Sequence, residues 1–305
     1  MSFWLGVNLP WLDYGLDFGA NAWQPAGGVA SRERRARLGQ VCQELEGRGC
    51  RVVRWFLIGD GRAGVRFAAD GTPVGLDDRF FADLDHAVGT AGRHGLQVMF
   101  ALVDFLWFRR ARTVSGVRLG GHARAVSDPA RRARLLEDVF APIFARYARE
   151  PAIWGWDLCN EPEWAVRRVH AHPASTIRRR DMTAFLKEAA ACAHAHATQT
   201  VTVGLASLRG LGLVRDAGLD LYQVHWYDTL QSRAPLETPV PSLGLDRPLL
   251  LGEFPTRGSR RSPGEIVRIA RRAGYAGALA WSAMAEDGAS DLASAADELR
   301  LGRRA

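Results

Sequence analysis

Short apolar runs alternate with longer amphipathic segments along the whole of this 305-residue chain. The runs occupy residues 4–9, 51–57, 96–103, 153–159, 200–204, 219–225, 248–252 and 276–281. Each is mostly apolar rather than alternating with polar residues, as expected of strands covered on both faces. Helical segments intervene at 31–49, 77–94, 175–197, 207–217, 263–273 and 290–301, with another opening at Asp128-Pro129. Ser31 and Asp128 are suited to N-caps, Pro129 to a first helical turn, and Gly49 and Gly95 to helix stops. Only the stretch 238–246, between the sixth and seventh runs, is poorly helical. Eight strands alternating with helices predict a parallel sheet closed into a (β/α)8 TIM barrel. An open doubly wound sheet would prefer a glycine-rich phosphate loop after the first strand. The sequence Asn8-Leu-Pro-Trp-Leu-Asp-Tyr-Gly15 contains no GxGxxG. No Pro/Ser-rich linker or change of composition divides the chain, so residues 1–305 read as one domain.

The formal charge is +7, carried almost entirely by arginine, since Lys187 is the single lysine. The arginines fall on helical segments such as 31–37, 131–134 and 178–180 rather than in one stripe interleaved with aromatics. They read as solvated helix faces, and a nucleic-acid partner is not expected. Cys42, Cys50, Cys159 and Cys192 lack the CxxC spacing of a zinc ribbon. Cys159, inside an apolar strand, reads as a small buried hydrophobe. The first residues, Met-Ser-Phe-Trp-Leu-Gly-Val-Asn-Leu, have no basic head, long apolar core or small-residue cleavage site. They lead to the expectation of a cytoplasmic protein, or a secreted one if a leader precedes them. No apolar stretch is long enough for a membrane span.

Two strands end in carboxylates. Trp154-Gly-Trp-Asp-Leu-Cys-Asn-Glu-Pro162 delivers Asn160 and Glu161 at the exit of the fourth, and Leu249-Leu-Leu-Gly-Glu-Phe254 delivers Glu253 at the exit of the seventh. In a closed barrel these strands face each other across the mouth, where the βα loops build the site. Cleaving an acetal needs one neutral acid to protonate the departing oxygen and one ionised group to attack or to activate water. A separation of about 5 Å would make the reaction retaining, and a wider one inverting. The loops after strands one (10–30), two (58–76), three (104–127) and six (226–246) are long. Trp11, Tyr14, Trp23, Trp107, Trp164 and Trp226 fall in or beside such loops, where flat rings can stack on sugar faces.

Asn160-Glu161-Pro162 on strand four, with Glu253 on strand seven, resembles the clan A glycoside hydrolases, especially family 5, the cellulases and mannanases. The resemblance runs strand by strand through nearly the whole chain. Arg54 in Arg51-Val-Val-Arg-Trp55 matches an arginine those enzymes carry on strand two. His225 and Tyr227 match a His-x-Tyr pair on strand six, and Trp281 matches the tryptophan that ends strand eight. The resemblance implies Glu161 as acid/base and Glu253 as nucleophile, kept ionised by Arg54 and hydrogen-bonded by Tyr227. It implies that Asn160 binds the sugar 2-hydroxyl, that His225 orients the acid or binds substrate, and that Trp281 forms the floor under the sugar.

Many family members also carry a histidine near the exit of strand three. This chain has Val103-Asp-Phe-Leu-Trp-Phe108 there, so Asp104 and Trp107 are expected to take over recognition of sugar hydroxyls. Glu163 is expected to point away from Glu161, while Glu286 and Asp287 are candidates for the cleft rim. The expected function is retaining hydrolysis of β-linked glucan, mannan or derived oligosaccharides, with no cofactor and no metal. A barrel that binds carbohydrate without cleaving it is the alternative. A metal-dependent hydrolase is disfavoured, because strand one offers no His-x-His, and His194 and His196 sit on a helix where positions i and i+2 do not share a face.

Overall fold

The computed structural model describes residues 3–169, 172, 174–228 and 235–299. Eight parallel strands form a closed barrel. In chain order they are β1 (Trp4–Asn8), β2 (Val52–Phe56), β3 (Gln97–Asp104), β4 (Ile153–Asn160), β5 (Thr200–Leu205), β6 (Tyr222–His225), β7 (Leu249–Pro255) and β8 (Gly277–Trp281). Every strand lies on one of the eight expected runs, and β8 closes the ring against β1.

The barrel wall has two faces because side chains alternate along a strand. Val53, Trp55, Val98, Phe100 and Trp156 join the large core shared with the surrounding helices. Val52, Met99, Leu221, Leu250 and Leu279 form a separate cluster with Trp4 and Trp154 inside the barrel. Two residues further along those strands the inward positions turn polar, at Arg54 and Gln223, and both are fully buried. The barrel thus has an apolar base and a charged upper layer, directly beneath the mouth.

Helices Arg32–Gly47, Phe80–Arg93, Arg179–His196, Pro263–Ala273 and Leu292–Leu299 fall within the expected segments. The final residues of the 290–301 expectation lie outside the described residues. Asp128 caps its helix by accepting from the N–H groups of Ala130 and Arg131. Ser262 and Glu265 form a reciprocal capping box, with Pro263 in the first turn and Gly274 left-handed at the stop.

Three local features differ from the sequence reading. The helix from Pro129 is interrupted: Pro129–Leu135 passes through a π-helical turn, Leu136–Phe140, into Ala141–Arg146. Pro142 has no N–H to give to Asp138, and its ring would crowd that carbonyl, so the ladder widens there. Segment 207–217 holds a 3-10 helix, Leu208–Leu213, in which Gly210 and Gly212 weaken an α-helix. The loops after β2 and β3 contain antiparallel hairpins, Val65–Phe67 with Pro73–Leu76 and Arg112–Val114 with Val117–Leu119. Ser115 and Gly116 turn the second with φ of 44° and 80°, the positive values a tight hairpin needs. No helix among the described residues is long and apolar enough to cross a membrane.

The upper rims of β4, β6 and β7 are irregular. Their pairing registers shift between Asp157 and Asn160, at Val224/His225, and between Leu251 and Phe254. Bulges re-aim side chains, and these three lie where Asn160-Glu161, His225 and Glu253 emerge.

Candidate active site

Glu161 leaves β4 with φ 46° and ψ 51°, a left-handed conformation unusual for a residue with a side chain. Pro162 disfavours the right-handed helical alternative for its predecessor. The Glu161 N–H donates to the Gly204 carbonyl at 2.6 Å, which pins the strand exit to β5. The turn aims the carboxylate over the mouth instead of along the strand.

Glu161, His225 and Glu253 present atoms that all lie within 4.8 Å of one another. His225 Nδ1 stands between the two carboxylates, 2.8 Å from Glu161 Oε1 and 3.5 Å from Glu253 Oε1. Burial pushes the His225 imidazole down to about 4, so it is neutral at neutral pH and its contact with Glu161 is a hydrogen bond rather than an ion pair. Glu161 Oε2 also accepts from Trp164 Nε1 at 2.9 Å.

Glu253 is held differently. Its Oε1 accepts from Arg54 Nη1 at 2.7 Å and its Oε2 from the Tyr227 hydroxyl at 2.8 Å. Arg54 is fully buried and spends its remaining donors on Asp157 (2.8 Å), Asn160 (2.8 Å) and Asn8 (3.1 Å). Gln223 completes the layer with a 3.0 Å bond to Asp157, and the Gly204 N–H donates to the other Asp157 oxygen. A buried guanidinium is tolerated only when paired and hydrogen-bonded, and this ring supplies both.

The two carboxylates therefore differ electrostatically. Burial pushes Glu161 up to about 7, with the more distant Arg54 charge opposing the rise. Burial raises Glu253 as well, and so does the Glu161 charge, while the Arg54 guanidinium and the Tyr227 hydroxyl favour the ionised form. A guanidinium in direct contact favours the charged carboxylate, so Glu253 is the member of the pair kept ionised. The same three residues could in principle ligate a cation. The guanidinium against Glu253 Oε1 opposes a dication there, and the arrangement reads as an acid and a base.

Glu161, Glu253, Asn160, His225, Tyr227 and Arg54 are brought together. Trp11, half-buried, packs edge-on against Trp281 with ring centres 5.9 Å apart, and against Tyr14 at 5.0 Å. Trp281 Nε1 donates to Asp287 Oδ2 at 2.8 Å, which places Asp287 at the rim. Glu163 turns away as expected: it is buried, and its Oε1 faces the Ser207 N–H at 3.4 Å.

Trp107 requires a correction. It was expected to meet sugar, but its side chain is completely buried against Phe67 and His122. A loop position does not keep a large ring from becoming core. Arg54, His225 and Asp104 are also supports rather than cleft surface. The side chains of Arg54 and His225 have no exposed area. Asp104 accepts from the Tyr14 hydroxyl at 2.5 Å and from Asn160 Nδ2 at 3.3 Å. The sequence reading did not single out Asp157, Gln223 or Asn8. The available signal was a lone polar residue inside an otherwise apolar parallel strand, which must find a partner when buried.

No family model matches the chain. Over 320 residues it is 23% identical to a mannan endo-1,4-beta-mannosidase of Mytilus edulis, an alignment covering 92% of this chain and 83% of the relative. Its fold matches an endo-1,4-beta-mannanase from Eisenia fetida with a TM-score of 0.82 at 22% identity, covering 99% and 91% of the two chains. A beta-1,4-mannanase from the sea hare Aplysia kurodai matches with a TM-score of 0.77 at 21% identity, covering 99% and 91%. These likenesses agree with the (β/α)8 barrel.

Proposed function

We propose that this chain is a retaining β-glycoside hydrolase that cleaves β-1,4-linked mannan or oligosaccharides derived from it, with residues 1–305 acting as one catalytic unit. The observation that carries the reading is the pair of carboxylates within 4.8 Å, one pushed up to about 7 and the other held by a guanidinium. This is the short separation of a double displacement, in which no water fits between the carboxylates and the sugar in the first step. The curated relative supports mannan as the substrate and cleavage within the chain.

Glu253 attacks the anomeric carbon while Glu161 gives its proton to the departing glycosidic oxygen. The bond to the leaving sugar breaks and a covalent glycosyl ester forms on Glu253. With its proton spent, Glu161 takes one from a water molecule, whose oxygen attacks the same carbon. The ester bond breaks, and Glu253 is ionised again. His225 and Trp164 orient Glu161 throughout, while Arg54 and Tyr227 orient Glu253. Asn160, held by Arg54 and Asp104, retains an amide hydrogen for the sugar 2-hydroxyl. Trp281 and Trp11 supply apolar walls for the sugar ring.

The test uses an activated aryl β-mannoside. Glu253→Ala should lose at least about 10³-fold in turnover, the scale of a removed nucleophile, and azide should restore part of the activity by occupying the vacated space. Full activity in the variant would refute the assignment. A barrel that binds without cleaving is disfavoured by the intact pair; it would show calorimetric binding of mannooligosaccharide with no products.

A further inference from the structure

The outer segments of the loops that follow β3 and β4 carry only basic charges. Residues 105–127 and 164–180 carry five arginines each and no aspartate or glutamate. Between them opens a cavity of about 550 Å³ lined by Arg110, Arg167, His172, Ser175 and Thr176. That volume lies within the usual range for small-molecule sites, about 300–1,000 Å³.

The cavity is linked to the candidate acid through His172 and Trp164. The Trp164 indole donates to Glu161 and packs against His172 with ring centres 5.6 Å apart. Phe105, next to Asp104, packs against both rings at 6.3 and 5.3 Å. Ser175 Oγ donates to the Trp164 carbonyl at 2.9 Å, tying the outer loop to the same wall. Arg167 is oriented by a 2.8 Å bond from its Nε to the Thr176 carbonyl.

Several arginines around the cavity are neutralised by a carboxylate, but the two that line it are not. Arg62 and Arg109 are both paired with Asp60, Arg131 with Asp70, and Arg132 with Glu188. Arg110 and Arg167 have no carboxylate partner among the described residues. Two such guanidiniums beside a sugar-sized space can each offer a planar N–H fork to two oxygens of a carboxylate or sulfate group.

We propose that this cavity binds an anionic sugar, carrying a carboxylate or a sulfate ester, on the leaving-group side of the bond that is cut. The side follows from Glu161, because the acid stands next to the oxygen that departs. This rests on the hydrolase reading and adds to it that the preferred chain is acidic rather than neutral. His172, backed by Trp164 and Phe105, would meet the sugar ring, while Arg110 and Arg167 take its charge.

The experiment compares a β-1,4-mannohexaose with the same chain carrying C6 carboxylates and with the same chain carrying O6 sulfate esters, at about 20 and 200 mM NaCl. Partly exposed ion pairs contribute a few-fold each, so an acidic chain should show a KM about ten-fold below that of the neutral one at low salt. The advantage should shrink as salt screens the charges. Arg110→Gln combined with Arg167→Gln should remove most of it, and Arg167→Glu should reverse it. Improvement with only one acidic chain would identify the anion and still support the cavity. Equal KM values for neutral and acidic chains, or an acidic preference that survives the double variant, would overturn it. If no chain is cleaved, the hydrolase reading fails by itself. Calorimetric titration with the carboxylated chain then decides the cavity: binding that the double variant weakens about ten-fold sustains it, and no such weakening refutes it.

Discussion

At the scale of single residues, the account turns on how differently two glutamates are held. Glu161 must carry a proton into the reaction, and burial pushes its carboxyl up to about 7. Glu253 must be ionised, and the Arg54 guanidinium touches it directly. The kcat/KM profile should therefore be bell-shaped, with the basic limb near pH 7 as Glu161 loses its proton and the acid limb as Glu253 gains one. Glu161→Gln should abolish the basic limb and spare formation of the glycosyl-enzyme from an activated aryl glycoside; an unchanged basic limb in that variant would assign the acid elsewhere. The glutamates were legible because carboxylates at strand exits stand out from apolar runs, and Arg54, His225 and Tyr227 were legible through the family resemblance. Asp157, Gln223 and Asn8 were not singled out, since a lone polar letter in an apolar run shows no partner until the barrel closes. Trp107 was misread because an indole in a loop looks the same whether it faces sugar or fills core.

At the scale of elements, strand identity and order could be read directly, since runs covered on both faces are apolar throughout. The rims could not. A β-bulge has no strong sequence mark, yet bulges on β4, β6 and β7 aim the reactive side chains. The loop hairpins were hidden for a related reason: their strands are only three or four residues long, too short for a periodic pattern. Close contact between elements sets a further limit at Gly204, on β5. A methyl group there would stand 2.6 Å from Gln223 Nε2, 2.8 Å from Asp157 Oδ2 and 2.9 Å from Arg54 Nη2. Gly204→Ala should destabilise the barrel by about 1–3 kcal/mol in denaturant titrations, the usual cost of overpacking. It should also lower kcat, because Arg54 must move from Glu253. A variant with unchanged melt and turnover would mean that the buried ring is slack.

At the scale of the whole molecule, one architecture serves two ends: the apolar base and outer helices hold the barrel, and the charged upper layer holds the site. That layer has a cost visible in pH. Glu161 and Glu163 are pushed up to about 7 and about 8, each chiefly by burial. A carboxyl whose folded value is raised contributes stability that is fully present below its unfolded value and is lost as pH rises through the folded one. Between pH 7 and 8.5 unfolded histidines, with an ordinary value of about 6.5, are mostly neutral, so the carboxyls dominate and Tm should fall as pH rises. Glu163→Gln should flatten that slope by on the order of 1–2 kcal/mol across the window, read as a few degrees in calorimetry. A Tm that climbs with pH in this range would contradict the burial argument.

The central claim is that Glu161 and Glu253 divide acid and nucleophile duties across less than 5 Å. It is tested most directly by following the anomeric proton signals by NMR in the first minutes of mannooligosaccharide hydrolysis. The account predicts that the newly formed reducing end appears as the β-anomer and only later mutarotates; initial appearance of the α-anomer would contradict it.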